Sequence, residues 1–222
     1  QYEATSPETG SCRTFHFETR DNTTDPNSNV VHHFDDVCVD ADKPKTEKSF
    51  NGPQKIENGV EWIDGITTVT LEAKDPEPHP SGVNTTYWRN QLVPNNYCLW
   101  PKTYCKPCGI SEECNPQLPW NVWNGTPIQK PEESCHIIEF FSNDSVGNLE
   151  NINTNCFFVD STPPNITKEN PVTAIPDTDQ NPPINGEFHW ITPDMPITFT
   201  CTDQEPHPSG DEELCFRVSY DK

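Results

Sequence analysis

A repeated motif of eight residues constrains this chain more than any other feature. The motif Asp-Pro-Glu-Pro-His-Pro-Ser-Gly begins at Asp75 and returns at Asp203 with Gln in place of the first Pro, a shift of 128 residues (203 minus 75). The same shift places Trp190 on Trp62. A fixed internal period is typical of tandem modules, each of which buries its core within itself or against a neighbour. We therefore predict a repeat protein.

A second repeat covers other parts of the chain. The segment Cys135–Asp144 matches Cys12–Asp21 at a shift of 123 residues (135 minus 12), and Val159 and Asp160 match Val39 and Asp40 at a shift of 120 residues (159 minus 39). The repeating unit thus has a first half, which carries the eight-residue motif, and a second half. We predict an isolated second half at residues 1–40, a complete domain at residues 41–160 and an isolated first half at residues 161–222.

Each isolated half needs a partner. A few strands without a covering layer bury too little apolar surface to offset the entropy lost on folding. We predict that residues 1–40 of one copy complete residues 161–222 of the preceding copy by adding strands across the junction. A head-to-tail contact of this kind generates a filament when it does not close. Closure within one chain and completion by further modules of a longer protein are the two alternatives.

The charge of the chain narrows the range of partners. Its 14 Lys and Arg residues stand against 35 Asp and Glu residues, a net charge of -21. This charge disfavours binding to nucleic acid phosphates or to anionic lipid. No stretch approaches the roughly 18–20 apolar residues of a membrane span. We therefore predict no nucleic acid partner and no membrane span.

Ten cysteines, an even number, are typical of an oxidised extracellular protein with up to five disulfides. Two cysteines at the ends of a strand–turn–strand segment should lie close together on paired strands. We therefore predict the bonds Cys12–Cys38, Cys135–Cys156 and Cys201–Cys215. The other four cysteines have the spacing C-x6-C-x2-C-x5-C and are Cys98, Cys105, Cys108 and Cys114. This spacing resembles a zinc knuckle, but an oxidised chain favours two further disulfides.

The strand patterns predict an all-β fold. Val69, Leu71 and Ala73 alternate with polar residues, as expected for the inward face of a strand. Short strands recur between turns rich in Gly, Pro and Asn, and no long amphipathic helix is visible. We therefore predict tandem β-sandwich domains.

One segment, residues 95–134, has no counterpart elsewhere in the chain. We interpret it as a disulfide-rich loop insert between the two halves of the middle domain, whose topology should not depend on it. The insert carries Trp100, Trp120 and Trp123. These side chains either stack on the sugar rings of a glycan or form the small core of the loop itself.

Five Asn-X-Ser/Thr sequons predict N-linked glycans on an extracellular surface. Because sequons also arise by chance in a chain rich in Asn and Thr, the extracellular location depends on the cysteines as well. The sequons begin at Asn22, Asn84, Asn124, Asn143 and Asn165.

The eight-residue motif is also a repeated cluster of ionisable groups. Its carboxylates are Asp75 and Glu77 in the first copy and Asp203 and Glu205 in the second. They could bind calcium, which takes about six to eight oxygen ligands, provided that water or a neighbouring turn such as that of Asp144 contributes. The alternative is a rigid surface turn, in which Pro restricts the backbone and Asp caps it. No other cofactor is expected.

The sequence does not predict an enzyme. Ser134, Cys135 and His136 place a thiol beside an imidazole, but neighbouring residues in a strand point to opposite faces, and Cys135 is assigned to a disulfide. The seven histidines do not have the spacing of a zinc hydrolase.

Two strings of the sequence resemble a known family. Glu139-Phe-Phe-Ser-Asn-Asp-Ser-Val-Gly-Asn-Leu-Glu150, followed by Val159-Asp-Ser-Thr-Pro-Pro164, resembles the end of an Ig-like module of prokaryotic surface proteins. The motif at Asp203, with the strand that follows it, is similar to versions in Cys-rich archaeal surface proteins. The resemblance implies tandem Ig-like β-sandwich domains in an extracellular structural or adhesive protein, and it implies no catalysis.

These features lead to two hypotheses about function. In the first, the chain is a structural subunit of an extracellular filament or surface appendage, and its partners are copies of itself. In the second, it is an adhesive or glycan-binding segment of a larger cell-surface protein. The two hypotheses differ in whether a neighbouring copy fills each half-domain.

Overall fold

The fold in the computed structural model is dominated by strands. The structure is 49% strand and 5% helix, in agreement with the predicted all-β class. It forms two compact units, Gln1–Val159 and Asp160–Lys222. No helix among the described residues is long and apolar enough to span a membrane. The described residues are 11–21, 30–108, 114–169, 175–176, 189–190, 192–205, 208–210 and 213–219.

The first unit begins with a two-stranded hairpin. Strand β1 (Cys12–Arg20) pairs antiparallel with β2 (Val30–Cys38). Cys12 lies directly opposite Cys38, and the two residues form the predicted disulfide. In the described part of the chain β2 is the one strand neighbour of β1. The outer side of β1 is therefore a sheet edge, to which a further strand can be added.

The remaining strands of the first unit form two sheets, in which β5 and β11 run parallel and the other neighbours are antiparallel. The larger sheet consists, in spatial order, of β4 (Gln54–Glu57), β5 (Val60–Ile63), β11 (Asn153–Val159), β10 (Cys135–Asp144), β7 (Val83–Val93) and β8 (Asn121–Val122). The smaller sheet consists of β3 (Lys45–Asn51), β6 (Thr68–Lys74) and β9 (Ile128–Gln129).

The two sheets share an apolar core. Val69 and Leu71 of β6, which alternation assigns to an inward face, lie in one buried cluster with Ile138 and Phe140 of β10 and Phe157 of β11. Because β10 side chains alternate between its two faces, Ile137 and Glu139 point away from this core. The larger sheet consequently has a second face that also requires cover.

The insert covers that second face. It contains two four-residue helices, α1 (Asn96–Leu99) and α2 (Pro101–Tyr104). Tyr97 of α1 is buried in one cluster with Ile137 and Phe158 of the sheet. The insert also adds β8 to the larger sheet and β9 to the smaller one. Removing the insert would therefore uncover one face of the larger sheet. The insert adds only one two-residue strand to each sheet, so the expectation that the strand topology does not depend on it stays a prediction.

The disulfides of the insert differ from the predicted pairs. In the register of β10 and β11, Cys135 lies opposite Phe158 and Cys156 opposite Ile137, so the two cysteines are diagonal neighbours about 7–8 Å apart. A disulfide needs β-carbons about 3.5–4.5 Å apart, and the predicted Cys135–Cys156 bond is therefore not formed. Each cysteine bonds to the insert instead, and all four insert cysteines are oxidised, which excludes the zinc alternative. The bonds of the insert are Cys98–Cys135, Cys105–Cys156 and Cys108–Cys114.

Cys201 and Cys215 are free thiols, so the predicted bond between them is not formed either. Their equivalents in the first unit are Ala73 (201 minus 128) and Tyr87 (215 minus 128). Ala73 lies on β6 and Tyr87 on β7, which belong to different sheets. The prediction assumed adjacent strands, and this topology does not provide them.

The second unit repeats strand pairs of the first. Ile166 lies opposite Cys201, as Thr46 lies opposite Ala73, at shifts of 120 and 128 residues (166 minus 46 and 201 minus 73). The repeat in the sequence is thus a repeat of strand register. The strands of the second unit are β12 (Asn165–Glu169), which pairs with β15 (Thr198–Thr202), and β13 (Ile175–Pro176), which pairs with β14 (His189–Trp190).

The hairpin of β1 and β2 likewise repeats the pair of β10 and β11. The N–H of Val39 donates to the carbonyl of Ser11, and the N–H of Val159 donates to the carbonyl of Ser134, each at 3.0 Å. Both hairpins are therefore closed by the same hydrogen bond, and the match between them extends from the sequence to the backbone.

Candidate functional site

The repeated eight-residue motif folds as a turn that two carboxylates hold. In the first copy Asp75 accepts the N–H of Gly82 at 2.7 Å, and Asp40, from the end of the preceding hairpin, accepts the N–H of Ser81 at 2.8 Å. Gly82 has a φ of +89°, which glycine adopts readily. These bonds agree with the interpretation of the motif as a rigid turn.

The second copy makes the same bonds. Asp203 accepts the N–H of Gly210 and Asp160 accepts the N–H of Ser209, each at 2.9 Å. The Val-Asp pair that ends one half of a module thus anchors the motif of the next half. Sequence analysis found this pair as a repeat but did not assign it to the site.

A third carboxylate, Asp144, joins the first copy. It is almost fully buried at the end of β10, and its Oδ1 accepts the N–H groups of Val146, Gly147 and Asn148 at 3.0, 2.7 and 2.8 Å. The side-chain amide of Asn148 donates to Asp144 Oδ2 at 2.7 Å and to the carbonyl of Asp40 at 3.2 Å. This turn therefore holds Asp144 beside the anchor of the motif.

Asp40, Asp75 and Asp144 form a carboxylate triad. One oxygen atom from each lies within 4.8 Å of the others, and Asp75 Oδ1 is buried without a hydrogen-bond partner. Burial raises the pKa of Asp75, and the charges of Asp40 and Asp144 act in the same direction. Hydrogen bonds from Ser81 lower the pKa of Asp40. The triad thus concentrates negative charge in a partly buried position.

The chemistry of the triad fits a hard cation. Carboxylate oxygens are the ligands that calcium prefers, and water would have to supply the rest of its roughly six to eight positions. Of the ligands predicted from the sequence, Asp75 belongs to the triad, whereas Glu77 is exposed outside it. In the second copy Asp203 holds the turn and Glu205 is exposed.

A buried ion pair connects the insert to the sheet, and sequence analysis did not find it. Arg89 of β7 and Glu139 of β10 have side-chain exposures of 6% and 2%, and their Nε and Oε2 atoms lie 2.6 Å apart. Arg89 also donates to the carbonyls of Pro116 and Leu118, and the N–H of Cys108 donates to Glu139. A signal was available in Glu139, a charged residue within the apolar run from Ile137 to Phe141.

The three tryptophans of the insert do not form one sugar-binding surface. Trp120 packs edge-on against Phe141, with ring centres 4.7 Å apart, and it stacks on the guanidinium of Arg89. Trp123 packs against the core shared by the two sheets. Trp100 is exposed. Two of the three side chains are therefore half-buried and packed against the rest of the domain.

The sequons differ in accessibility. Asn143 is half-buried on β10, and its side-chain oxygen is buried without a hydrogen-bond partner. Asn22 lies outside the described residues. The exposed sequon residues are Asn84, Asn124 and Asn165.

Cys135 and His136, the adjacent cysteine and histidine considered as a catalytic pair, both have structural roles. Cys135 is in a disulfide with Cys98. His136 is fully buried, and its ring nitrogens lie within hydrogen-bonding distance of Asn90 and of the carbonyl of Glu132. Cys135 therefore has no thiol to act as a nucleophile.

The hairpin exposes side chains whose equivalents are buried. Phe17 corresponds to Phe140 (140 minus 123); Phe17 is 52% exposed and Phe140 is 5% exposed. Val37, equivalent to the fully buried Phe157 (157 minus 120), is exposed as well. One face of the hairpin therefore carries apolar side chains at positions that are buried in the first unit's core, but here these side chains are exposed to solvent.

The second unit has the same property. Ile197 corresponds to Val69 (197 minus 128), and their exposures are 44% and 1%. Phe199, which corresponds to the buried Leu71, is also exposed. The hairpin and the second unit thus both expose apolar side chains whose equivalents in the first unit are buried.

Comparison with family models, curated proteins and solved structures found no match to this chain.

Proposed function

We propose that this chain is a structural subunit of an extracellular filament in which Ig-like half-domains of successive copies complete each other. Residues 1–40 of one copy supply the second half of the domain whose first half is residues 161–222 of the preceding copy. The observation that carries the proposal is that apolar side chains exposed on both halves are equivalent to buried core residues of the first unit. The disulfides favour an extracellular location.

The first unit provides a template for the junction. In it β7 pairs with β10, and Gln91 lies opposite Ile137. At the shifts of 128 and 123 residues these positions correspond to Ser219 (91 plus 128) and Thr14 (137 minus 123). We therefore expect residues 213–219 of one copy to pair antiparallel with β1 of the next, with Ser219 opposite Thr14.

The energetics of the junction require both apolar burial and strand pairing. Phe17, Val37, Ile197 and Phe199 are already about half-buried. Covering them therefore stabilises the contact by roughly half of the 1.5–3 kcal/mol that full burial gives each side chain, or on the order of 3–6 kcal/mol together. Association itself costs about 4–15 kcal/mol. The main-chain hydrogen bonds of an added strand supply the remaining stabilisation, which is why the available edge of β1 matters.

A mixture of two variants, each with one free cysteine, tests completion between chains. Both chains carry Cys201→Ser and Cys215→Ser, so that the free thiols do not interfere. One chain also carries Thr14→Cys and the other Ser219→Cys. Mild oxidation should give a cross-linked heterodimer on a non-reducing gel, because directly opposite residues of antiparallel strands have β-carbons from about 4.5 Å apart, which adjoins the range of about 3.5–4.5 Å that a disulfide needs.

Arg13→Cys in place of Thr14→Cys is the matched control, since the adjacent side chain points to the other face of the strand. It should give no cross-link with Ser219→Cys. A chain that carries both Thr14→Cys and Ser219→Cys separates the alternatives. Cross-linked oligomers support the proposal, a cross-linked monomer alone shows closure within one chain, and the absence of any cross-link leaves completion by a longer protein.

The alternative function, an adhesive or glycan-binding segment of a larger cell-surface protein, has less support in this site. Trp120 and Trp123 are used in packing, which leaves Trp100 as the exposed tryptophan of the insert. A single exposed ring provides a smaller stacking surface than the three rings that the sequence suggested.

A further inference from the structure

We propose that the hairpin formed by β1 and β2 binds a divalent transition-metal ion through His16, His32 and Glu18, on the face opposite to that of Phe17 and Val37. This inference does not depend on polymerisation, because all three residues belong to one hairpin. The site is separate from the carboxylate triad and differs from it in chemistry. Imidazole nitrogens with one carboxylate suit zinc and neighbouring transition metals, whereas the all-oxygen triad suits calcium.

The register of the hairpin brings the three side chains to one face. Glu18 lies directly opposite His32, and His16 lies opposite Phe34. Because alternate residues of a strand share a face, His16 and Glu18 of β1 project to the same side as His32 and Phe34 of β2. The Cys12–Cys38 disulfide fixes this register. The face is consequently set before any ion binds.

Two of the three distances between ligand atoms, both measured from His32, are close to those of a tetrahedral zinc site. His16 Nε2 lies 3.1 Å from His32 Nδ1, and Glu18 Oε2 lies 3.7 Å from the same His32 nitrogen. Bonds of about 2.0–2.2 Å arranged tetrahedrally place neighbouring ligand atoms about 3.3 Å apart. An ion would bind once Glu18 turns toward His16, a rotation that is open to exposed side chains, and water would complete its coordination.

The neighbouring side chains hold the ligands in place. His16 stacks on the ring of Phe34, with ring centres 4.7 Å apart and planes 7° from parallel. Arg20 forms an ion pair with Glu18 Oε1, which leaves the Oε2 atom directed at His32. The three ligands are exposed, so an ion can reach them from solvent. The surrounding chain, with its net charge of -21, attracts cations to this surface.

Zinc titration of the full chain by calorimetry tests the site. The parent protein should carry Cys201→Ser and Cys215→Ser, because these thiols could bind zinc themselves, and millimolar calcium should be present to compete at the triad. We expect one saturable zinc site. His16→Ala or His32→Ala should weaken zinc binding at least about tenfold, a loss typical of damage to a metal site.

His33→Ala is the matched control, because His33 stacks on Phe17 on the opposite face of the hairpin. It should leave zinc affinity unchanged. Cobalt provides a readout that is specific to coordination, since tetrahedral Co²⁺ absorbs visible light and should do so with the parent and His33→Ala but not with His16→Ala. Mass measurement of the Cys12–Cys38 disulfide in each variant verifies that the hairpin is intact. Equal zinc binding by the parent and His16→Ala, or no saturable binding by the parent, would overturn the proposal.

Discussion

At the residue scale, the ion pair between Arg89 and Glu139 should respond strongly to substitution. Glu139→Ala leaves the Arg89 guanidinium buried without its counter-charge and the N–H of Cys108 without its acceptor. Breaking a buried pair by removing one partner costs about 3–5 kcal/mol. We expect a decrease of that size in the free energy of unfolding, measured by urea denaturation of the oxidised protein.

The exposed pair of Lys74 and Glu72 is the control for this prediction. Both side chains are open to solvent, so solvent screens the pair and Glu72→Ala should lower the free energy of unfolding far less than Glu139→Ala does. Similar losses for Glu139→Ala and Glu72→Ala would show that the buried pair does not bind the insert to the sheet as described.

A second residue-scale prediction concerns Asp75. Burial raises its pKa in the folded protein, so the folded state holds the proton more tightly than the unfolded chain does. The free energy of unfolding therefore falls as the pH rises from the unfolded pKa through the folded one. Asp75→Asn removes this fall and one of three like charges, and it should raise the melting temperature in EDTA at neutral pH.

Calcium should stabilise the wild type but not the Asp75→Asn variant. An ion that binds the folded triad stabilises the protein by about 2.7 kcal/mol at a hundredfold excess over its dissociation constant. Adding calcium should therefore raise the melting temperature of the wild type, but not that of Asp75→Asn. Glu77→Gln, at an exposed position outside the triad, should respond as the wild type does. Equal shifts in wild type and Asp75→Asn would exclude the triad as the calcium site.

The triad also shows how far single residues can be interpreted from sequence. Asp75 was a candidate because its motif is acidic and repeated. Asp144 was a candidate because it lies in the Gly-Asn turn of the string that resembles a known family. Asp40 was not, although its Val-Asp pair recurs at Asp160, because a two-residue match does not reveal what the side chain contacts. Glu77 could not be separated from Asp75, since their orientations depend on the folded turn.

At the element scale, the disulfides that fasten the insert should matter more than the one within it. The Cys105–Cys156 bond joins residues 51 apart, whereas Cys108–Cys114 joins residues 6 apart. The chain-entropy relation gives about 4 kcal/mol for the longer loop and about 2 kcal/mol for the shorter one. Replacing Cys105 and Cys156 by Ser should therefore lower the free energy of unfolding more than replacing Cys108 and Cys114.

Thermal or urea unfolding of the two double variants measures this difference directly, because each variant loses one bond. Each variant also places one Ser hydroxyl in the same apolar cluster, at Cys156 or at Cys114, both of which are 3% exposed. This cost is therefore similar in the two variants, and the difference in loop length decides the comparison. A larger loss on removal of Cys108–Cys114 would mean that the insert is held mainly by its internal bond.

Elements with strong periodic patterns were predictable, and short ones were not. Alternation over Val69, Leu71 and Ala73 identified β6, and the repeat transferred this assignment to β15. The helices of the insert have four residues each, and β8 and β9 have two, which is too few to show a period. The disulfide partners of the cysteines on β10 and β11 depend on the register of these two strands and on the position of the insert. The spacing of the cysteines in the sequence predicts neither.

At the scale of the whole molecule, the four disulfides predict how a filament should come apart. Each bond joins residues of the same chain within the first unit, so strand pairing and apolar contact alone would connect subunits. Boiling in detergent without reductant should therefore release monomers, as judged by gel electrophoresis. A ladder that disappears only with reductant would show instead that Cys201 or Cys215 forms a bond between subunits.

The Cys12–Cys38 bond has a mechanical consequence. Because the bond crosses the open end of the hairpin, where Val39 also bonds to Ser11, a pull that a neighbouring subunit applies to β1 reaches residue 39 through the two sulfur atoms. The hairpin therefore cannot open under this load, although the 25 residues between the cysteines (37 minus 13, plus one) would otherwise extend by roughly 80–90 Å. A thread built from such subunits would resist stretching at this point through a covalent bond and would preserve the folded hairpin under a pull that separates its hydrogen-bonded neighbours.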